Sequence, residues 1–221
     1  MDFLNSIFRY SLDELPYVII ALLIAFTVHE FAHAYVAYKF GDSTAKDQGR
    51  LTLNPIEHID PIGTIFILIA GFGWARPVPV NRYHFKRPRL AGVLVSVAGP
   101  LSNLLVTILA FLVMYGLAAL GLWNSMPFFV SDLLHVIISL NTMLFVFNLL
   151  PIPPLDGYRI IEDLVSPSLR AKMTQYEQYG TLIFLIIVIT PLNQYTIQPI
   201  FNTVMPAIIY GLRDMFTMIF L

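Results

Sequence analysis

The chain has 221 residues, of which 57% are hydrophobic and 12% are charged, and its formal net charge at pH 7 is -1. Soluble domains contain about 45–50% apolar and about 25% charged residues, so this composition excludes a soluble globule and indicates an integral membrane protein. The near-neutral charge gives no electrostatic basis for binding nucleic acid, and the lack of cysteine excludes disulfides and thiolate metal ligands.

The first long apolar run extends from Pro16 to Phe40. A membrane span needs about 20 mostly apolar residues, and proline is favoured in the first helical turn, so the run predicts a transmembrane helix. The sequence before it contains acidic residues where a signal peptide would be basic. We therefore expect this helix to be retained.

Residues 29–33 of this run have the sequence HEFAH. Residues four apart project from one face of a helix, and two histidines at this spacing can bind one zinc ion. Glu30 lies beside them, where it can accept a proton from a metal-bound water. On a soluble helix the alternative would be a solvated polar face. Near the bilayer centre a charged side chain costs at least about 2.5–3.5 kcal/mol, which favours the metal site.

The next apolar stretch, within residues 60–83, is too short to cross a membrane. Glycines at 71 and 73 and prolines at 77 and 79 interrupt any helix. The pattern predicts a re-entrant or β-hairpin-like segment near residues 62–85, shielded by protein or water. The alternation of proline and valine at 77–80 predicts a short extended piece at a sheet edge.

Apolar runs at residues 91–121 and 128–150 predict two more spans, and residues 179–192 are a shorter candidate. Residues 199–221 contain Arg213 and Asp214, so they predict either a further span or a helix in the membrane interface. The predicted fold class is therefore an all-α polytopic membrane protein with about four to six transmembrane helices. We expect one domain over residues 1–221, with a catalytic core at about 16–165 and C-terminal helices at about 176–221.

The distribution of Lys and Arg predicts the orientation of these helices. Residues 39–89 contain eight Lys and Arg residues, whereas residues 122–127 contain none. The amino terminus is therefore expected outside, and residues 39–90 and 151–175 in the cytoplasm.

A catalytic zinc ion usually has three protein ligands and a water, so a third ligand is expected. Residues 148–157, NLLPIPPLDG, end the third span with three prolines that interrupt the helix, and Gly157 permits a turn that directs Asp156 sideways. The predicted orientation brings Asp156 and the HEFAH motif to the cytoplasmic ends of two parallel helices. Glu162 or Asp163 is the alternative third ligand.

Three motifs, HEFAH, AGPLSN at residues 98–103 and NLLPIPPLDG, resemble the site-2 protease family of intramembrane metalloproteases. The stretches at residues 49–64 and 76–81 look like a subgroup with a minimal membrane core and no extra soluble domains. The resemblance covers residues 18–165. Tyr158 departs from it, because many members have a second glycine there.

The resemblance implies that His29, His33 and Asp156 bind one zinc ion and that Glu30 is the general base. It further implies that two amides help to place the scissile carbonyl or to stabilise the oxyanion; these are Asn148 and Asn103. For Asn103 a competing interpretation is a structural bond between helices, because an amide in hydrocarbon needs a partner.

The implied activity is zinc-dependent hydrolysis of peptide bonds in or near transmembrane segments of membrane protein substrates. The expected location is the lipid bilayer of a prokaryotic plasma membrane, with the active site toward the cytoplasm and no nucleic acid as partner. One rival is a zinc transporter, which would use the same ligands without requiring Glu30. Another is an inactive relative that binds transmembrane segments without cutting them.

Overall fold

The structure is a computed structural model that describes residues 10–70, without the side chain of residue 70, and residues 73–220. These residues contain eight α-helices and no β-strand. The α-helices are α1 (Leu15–Lys39), α2 (Thr44–Asp47), α3 (Pro61–Ala70), α4 (Pro88–Ala119), α5 (Phe128–Asn148), α6 (Asp156–Leu164), α7 (Pro167–Ile189) and α8 (Asn193–Phe220). Short 3-10 helices lie at Pro55–Glu57, Arg82–His84 and Trp123–Ser125.

Four helices, α1, α4, α5 and α8, are long and apolar enough to cross a membrane. They confirm the predicted all-α polytopic fold. The first three match the predicted runs to within three residues at each end. Helix α8 begins at Asn193, earlier than the predicted start at residue 199, because Pro199 and Pro206 lie inside the helix instead of ending it.

Residues 179–192, the shorter candidate span, fall largely in α7, which is not one of the four described helices that are long and apolar enough to cross a membrane. The apolar part of α7 is confined to its C-terminal half, at residues 180–189, and its N-terminal half contains Arg170, Lys172 and Glu177. The eight consecutive apolar residues at 182–189 are fewer than half of the about 20 that a span needs.

Helix α3 and the segment that follows it form a folded-back unit instead of a β-hairpin. A Cβ atom added at Gly73 would lie 2.0 Å from the carbonyl oxygen of Gly63, and one added at Gly63 would lie 2.1 Å from that of Trp74. The returning chain therefore runs so close to α3 that both positions require glycine. Residues 74–81, here called the 74–81 segment, are neither helix nor strand. The expected sheet edge is not seen in the described chain, since the two prolines leave few N–H groups for a ladder.

Helices α1, α4 and α5 pack together at the centre of the molecule. Several alanines of α1 are fully buried in this packing, namely Ala21, Ala25, Ala34 and Ala37. Small residues let membrane helices approach closely, which is how such bundles gain van der Waals contact in lipid. Helix α8 covers one side of α4, where the rings of Phe111 and Phe216 stack with centroids 5.8 Å apart. This packing fixes the α1 face that carries the HEFAH motif.

Candidate metal centre and active site

Three potential metal ligands converge at the centre of the bundle. The Nε2 atoms of His29 and His33 are 3.0 Å apart, and the Oδ2 atom of Asp156 lies 3.2 and 3.4 Å from them. Ligand atoms of a tetrahedral zinc ion, each at about 2.0–2.1 Å from the metal, are about 3.3 Å from one another. The three side chains therefore already have the spacing that one zinc ion requires.

The carboxylate of Asp156 reaches this point from a different part of the chain. It is the first residue of α6 and follows the proline-rich loop after α5. Its Oδ2 atom is buried and makes no hydrogen bond to a described residue. Burial raises the pKa of this carboxyl, but the two imidazoles outweigh that effect and hold the pKa below its usual range. An ionised, unpaired oxygen beside two imidazole nitrogens is a suitable donor set for a divalent cation.

The second nitrogen of each histidine is held by an acceptor on α4. His29 Nδ1 lies 2.7 Å from Asn103 Oδ1, and His33 Nδ1 lies 2.7 Å from the carbonyl oxygen of Val95. Since both partners accept hydrogen bonds, each Nδ1 carries the proton and donates it. When the imidazoles are neutral, as they are when they bind a metal, the lone pairs of both Nε2 atoms are then directed at the site, and the acceptors of Nδ1–H form the usual outer shell of metal-binding histidines.

Gly99 of α4 lies directly against the two histidines. A Cβ atom added there would be 2.4 Å from His33 Nε2 and 2.6 Å from His29 Nε2. Such distances are far below van der Waals contact, so any side chain at this position would displace the two histidine side chains. The glycine of the AGPLSN motif thus forms one wall of the candidate metal site.

Asn103 is fully buried between the three central helices. Its Nδ2 group donates to the carbonyl oxygen of Ala25, at 3.1 Å, and to Oδ1 of Asn141, at 3.0 Å. Both N–H groups of the amide are therefore used within the protein, and none remains for a substrate oxygen. Of the two interpretations considered for Asn103, these contacts favour the structural one, in which the amide also orients His29.

Asn148 lies at the C-terminal end of α5 and is half-buried. Its Nδ2 group donates to the carbonyl oxygen of Leu144, one turn earlier, at 3.0 Å. Its side-chain oxygen has no hydrogen-bond partner within the described ranges. Unlike Asn103, this amide therefore keeps polar atoms that a bound peptide can reach.

Glu30 is buried, and its Oε2 atom accepts a hydrogen bond from the backbone N–H of Val78 at 2.8 Å. The 74–81 segment thus passes over the acidic residue of the HEFAH motif. The contact joins residues 48 positions apart in the sequence.

Both ends of the 74–81 segment are anchored by hydrogen bonds that its backbone makes with backbone or side-chain atoms of other segments. At its start, the N–H of Arg76 donates to the carbonyl oxygen of His58 at 2.9 Å, and Arg50 Nη2 donates to the carbonyl oxygen of Arg76 at 2.7 Å. At its end, the N–H of Asn81 donates to Oδ2 of Asp42 at 2.6 Å. The part that contacts Glu30 is therefore held from both sides.

The alternative third ligands, Glu162 and Asp163, are engaged elsewhere. Asp163 Oδ1 lies 2.5 Å from Arg82 Nη1 and 3.2 Å from Arg170 Nη2. Glu162 accepts hydrogen bonds from Thr174 and Arg159. Among the described carboxylates, it is Asp156 that forms a cluster with the two histidines.

Several residues that contact or support the candidate site belong to no sequence motif. Asn141 could have been noticed, because an amide inside an apolar span needs a partner. The contact of Val78 could not, since it uses a backbone N–H that every residue except proline possesses. Arg50 and Asp42 lie in polar loops, where charged residues carry no special signal.

Comparison with known proteins identifies the family. The model of Peptidase family M50 matches residues 120–191, a range that includes Asp156. A Bacillus subtilis protein with the provisional name zinc metalloprotease YwhC is 59% identical over 195 residues, covering 87% of this chain and 89% of that protein.

More distant relatives have the same kind of name. The provisionally named zinc metalloprotease Rip2 of Mycolicibacterium smegmatis is 30% identical over 190 residues, covering 83% of this chain and 71% of that protein. Rip2 of Mycobacterium tuberculosis is 30% identical over 183 residues, covering 79% and 67%. No solved structure matches the chain. The match to the Bacillus protein over nearly the whole of both sequences shows that this membrane protein belongs to Peptidase family M50, the site-2 protease family of zinc metalloproteases.

Proposed function

We propose that the chain is an intramembrane endopeptidase that hydrolyses a peptide bond in or near a transmembrane segment of another membrane protein. His29, His33 and Asp156 would hold the zinc ion, and Glu30 would act as the general base. The observation that carries the proposal is the convergence of these three ligands, with Glu30 adjacent in sequence, inside a bundle of candidate membrane spans.

When bound, zinc supplies Lewis-acid chemistry, polarising the scissile carbonyl and lowering the pKa of water. The chain's own residues then position and move the proton. Because Glu30 Oε2 accepts the Val78 N–H, the other oxygen, Oε1, is the one that takes the proton from the attacking water. The same carboxyl delivers it to the leaving amine. Asn148, with polar atoms still available, would contact the scissile carbonyl or its oxyanion.

The active site is proposed to open toward the cytoplasm. His33 lies six residues before the end of α1 at Lys39, and Asp156 follows the end of α5. The connections that follow these two helix ends carry the excess of Lys and Arg, whereas the connection between α4 and α5 carries none. Water would reach the site from this side, where Asp156 keeps 17% of its side chain exposed.

A substrate helix has to unwind before hydrolysis, because its peptide bonds are hydrogen-bonded and covered by side chains. The 74–81 segment offers a way to hold the unwound chain by strand addition. Pro77 and Pro79 have fixed φ angles and force the residues before them into extended conformations. The N–H of Val80 has no hydrogen-bond partner in the described part of the chain, so it is free to pair with a substrate carbonyl.

An apolar cavity of about 220 Å³ adjoins the same face of α1. Leu22 and Phe26 line it and precede His29 and His33 at the three- and four-residue spacing of one helix face. The other lining residues come from α3, α5, α7 and α8 and from Gly73, and they include Ile67, Met143, Leu144, Phe147, Val188, Asn193, Ile197, Gln198 and Phe201. Because its lining is mostly apolar, this cavity can accommodate apolar side chains of a transmembrane substrate.

The test is Glu30→Gln in purified protein reconstituted in liposomes with a transmembrane substrate. The amide keeps the size of the side chain but cannot act as a base, so zinc content should equal that of wild type while cleavage falls at least about a hundredfold. Wild-type protein that carries zinc across the liposome membrane and cleaves nothing would instead support the transporter. Cleavage that survives the substitution would overturn the assignment of Glu30.

A further inference from the structure

A second cluster of buried ionisable side chains lies on α6 and its neighbours, and the chemistry above does not use it. The side chain of Asp163 is 0% exposed, and its Oδ1 atom pairs with Arg82 and Arg170. The side chain of Glu162 is 3% exposed and pairs with Arg159 at 3.1 Å. Burying such charges has a desolvation cost that can exceed their mutual attraction, so this cluster is weak evidence of a stabilising role.

The ion pair between Arg82 and Asp163 connects two parts of the active site that are far apart in sequence. Arg82 directly follows the 74–81 segment, which contacts Glu30 through Val78. Asp163 lies on α6, whose first residue is Asp156. The ion pair therefore joins the 74–81 segment, which contacts Glu30, to α6, which carries Asp156.

Helix α6 also has a fixed position along α4. Asp156 and Asp163 are seven residues apart, about two helical turns, so they lie on the same side of α6. Gly92 and Gly99 have the same spacing on α4. A Cβ atom added at Gly92 would lie 2.1 Å from Asp163 Oδ2, whereas Gly99 contacts the histidine ligands. Asp163 thus lies against α4 at Gly92, while Asp156, two turns earlier on the same side of α6, lies beside the two histidines that Gly99 contacts.

We propose that Arg82 and Asp163 are positioning residues. Their ion pair holds α6 and the 74–81 segment in a fixed relative position, so that Asp156 and Glu30 act on the same peptide bond. The proposal rests on the proposed function for the roles of those two acids. The geometry that supports it consists of the 2.5 Å contact, the full burial of Asp163 and the matched spacing of the two acids and the two glycines.

Arg170 provides a matched control. It pairs with the same Oδ1 atom of Asp163, at 3.2 Å, but it lies on α7, which carries none of the proposed catalytic groups. Arg170→Gln therefore removes one positive charge from the cluster and leaves the connection to the 74–81 segment in place. Arg82→Gln removes the same charge and also breaks the connection.

Both variants can be compared in the full-length protein in detergent by two measurements that do not require proteolysis. Zinc affinity is measured by competition with a chelator, and backbone hydrogen exchange is measured for residues 76–84. Arg82→Gln should weaken zinc binding about tenfold, the lower end of the effect of outer-shell partners, and should accelerate exchange. Arg170→Gln should change zinc affinity by less than about twofold.

Two further variants keep the test decisive if Arg82→Gln folds poorly. Arg82→Lys retains a charge that can reach Asp163 and should recover most of the zinc affinity. Asp163→Asn keeps a side chain of the size that fits against Gly92 and should weaken zinc binding as Arg82→Gln does. The double variant should lose no more zinc affinity than the weaker-binding of the two single variants. In an active preparation Arg82→Gln should also lower kcat more than it raises KM.

Equal losses in Arg82→Gln and Arg170→Gln would overturn the proposal, as would normal zinc affinity and exchange in Arg82→Gln. Failure of the proposed function would look different. A protein that shows the expected losses but cleaves no membrane substrate in its wild-type form would support the positioning role and refute the protease assignment.

Discussion

The two halves of the candidate active site are built in different ways. In the metal half, two of the three candidate ligands lie on a candidate transmembrane helix, where Asn103 and the Val95 carbonyl of α4 hold His29 and His33. The catalytic-base half depends on the irregular 74–81 segment, whose Val78 N–H contacts Glu30. Helix packing fixes the first half, whereas polar contacts between distant parts of the chain fix the second. Substitutions beside the histidines should therefore lower or abolish metal binding, whereas substitutions at the contact with Glu30 should impair catalysis with the metal retained.

The largest effect is expected at Gly99. In Gly99→Ala the new methyl group would lie 2.4 Å from His33 Nε2, so the two histidine side chains cannot keep their arrangement. Elemental analysis should find zinc lost altogether, together with activity.

Gly116 on the same helix is the control for this change, because a Cβ atom there would meet nothing within 4 Å. Gly116→Ala should retain full zinc content and gain up to about 1 kcal/mol of helix stability. A Gly99→Ala protein with a full complement of zinc would show that α4 does not form the wall of the site.

The next largest effect is expected in the other half, at Val78. Val78→Pro removes the N–H that orients Glu30, while the neighbouring prolines already keep the chain extended. Since general-base catalysis contributes about 10²–10⁴-fold, kcat should fall by about a hundredfold with zinc content unchanged.

Val80→Pro separates orientation of the base from binding of the substrate. The N–H that it removes bonds no described residue, so the variant should keep kcat and raise KM by about fivefold, the value of one hydrogen bond. Identical kinetics in the two proline variants would contradict the separate roles, and unchanged activity in both would remove substrate pairing with this segment.

The sequence predicts the metal half better than the other half, for physical reasons. The four-residue spacing of His29 and His33 fixes their common helix face, and the prolines before Asp156 identify a break where a carboxylate can turn inward. The distribution of Lys and Arg then predicts that the C-terminal ends of α1 and α5 lie on the same side of the membrane. Each of these inferences uses local periodicity or composition.

The other half depends on contacts that no local pattern encodes. The hydrogen bond between Val78 and Glu30 spans 48 residues, and the ion pair between Arg82 and Asp163, which joins this half to the metal half, spans 81. The apolar run at residues 179–192 shows a related limit of local patterns, because it belongs to a longer helix whose first half is polar.

Within the metal half, Asn103 should have an intermediate effect. Asn103→Leu fills a similar volume but removes the acceptor of His29 Nδ1–H, so the imidazole loses its orientation. Loss of an outer-shell partner weakens metal binding by about 10–100-fold, and chelator competition should place this variant in that range. Zinc affinity equal to wild type would mean that packing alone orients His29.

The smallest effect on zinc is expected at Asn141, which separates metal affinity from stability. Asn141→Leu removes the acceptor of one N–H of Asn103, but the bond from Asn103 to the Ala25 carbonyl remains and still directs Oδ1 at His29. Zinc affinity should therefore fall by only about threefold, below the range of a direct partner. The side-chain N–H of Asn103 that is left without an acceptor should nevertheless lower the free energy of unfolding by about 1–3 kcal/mol. Thermal unfolding of the detergent-solubilised protein can detect this change.

Thr142, the next residue on α5, supplies the control for Asn141. Thr142→Val breaks the 3.3 Å contact with Thr107. Apart from this contact, the hydroxyl of Thr107 bonds the backbone carbonyl of Asn103, not the side-chain amide that holds His29. This variant should destabilise the helix interface and leave zinc affinity unchanged. If Asn141→Leu weakened zinc binding as much as Asn103→Leu, the orientation of His29 would depend on the whole amide pair, and the metal half would be as sensitive to distant contacts as the half around Glu30.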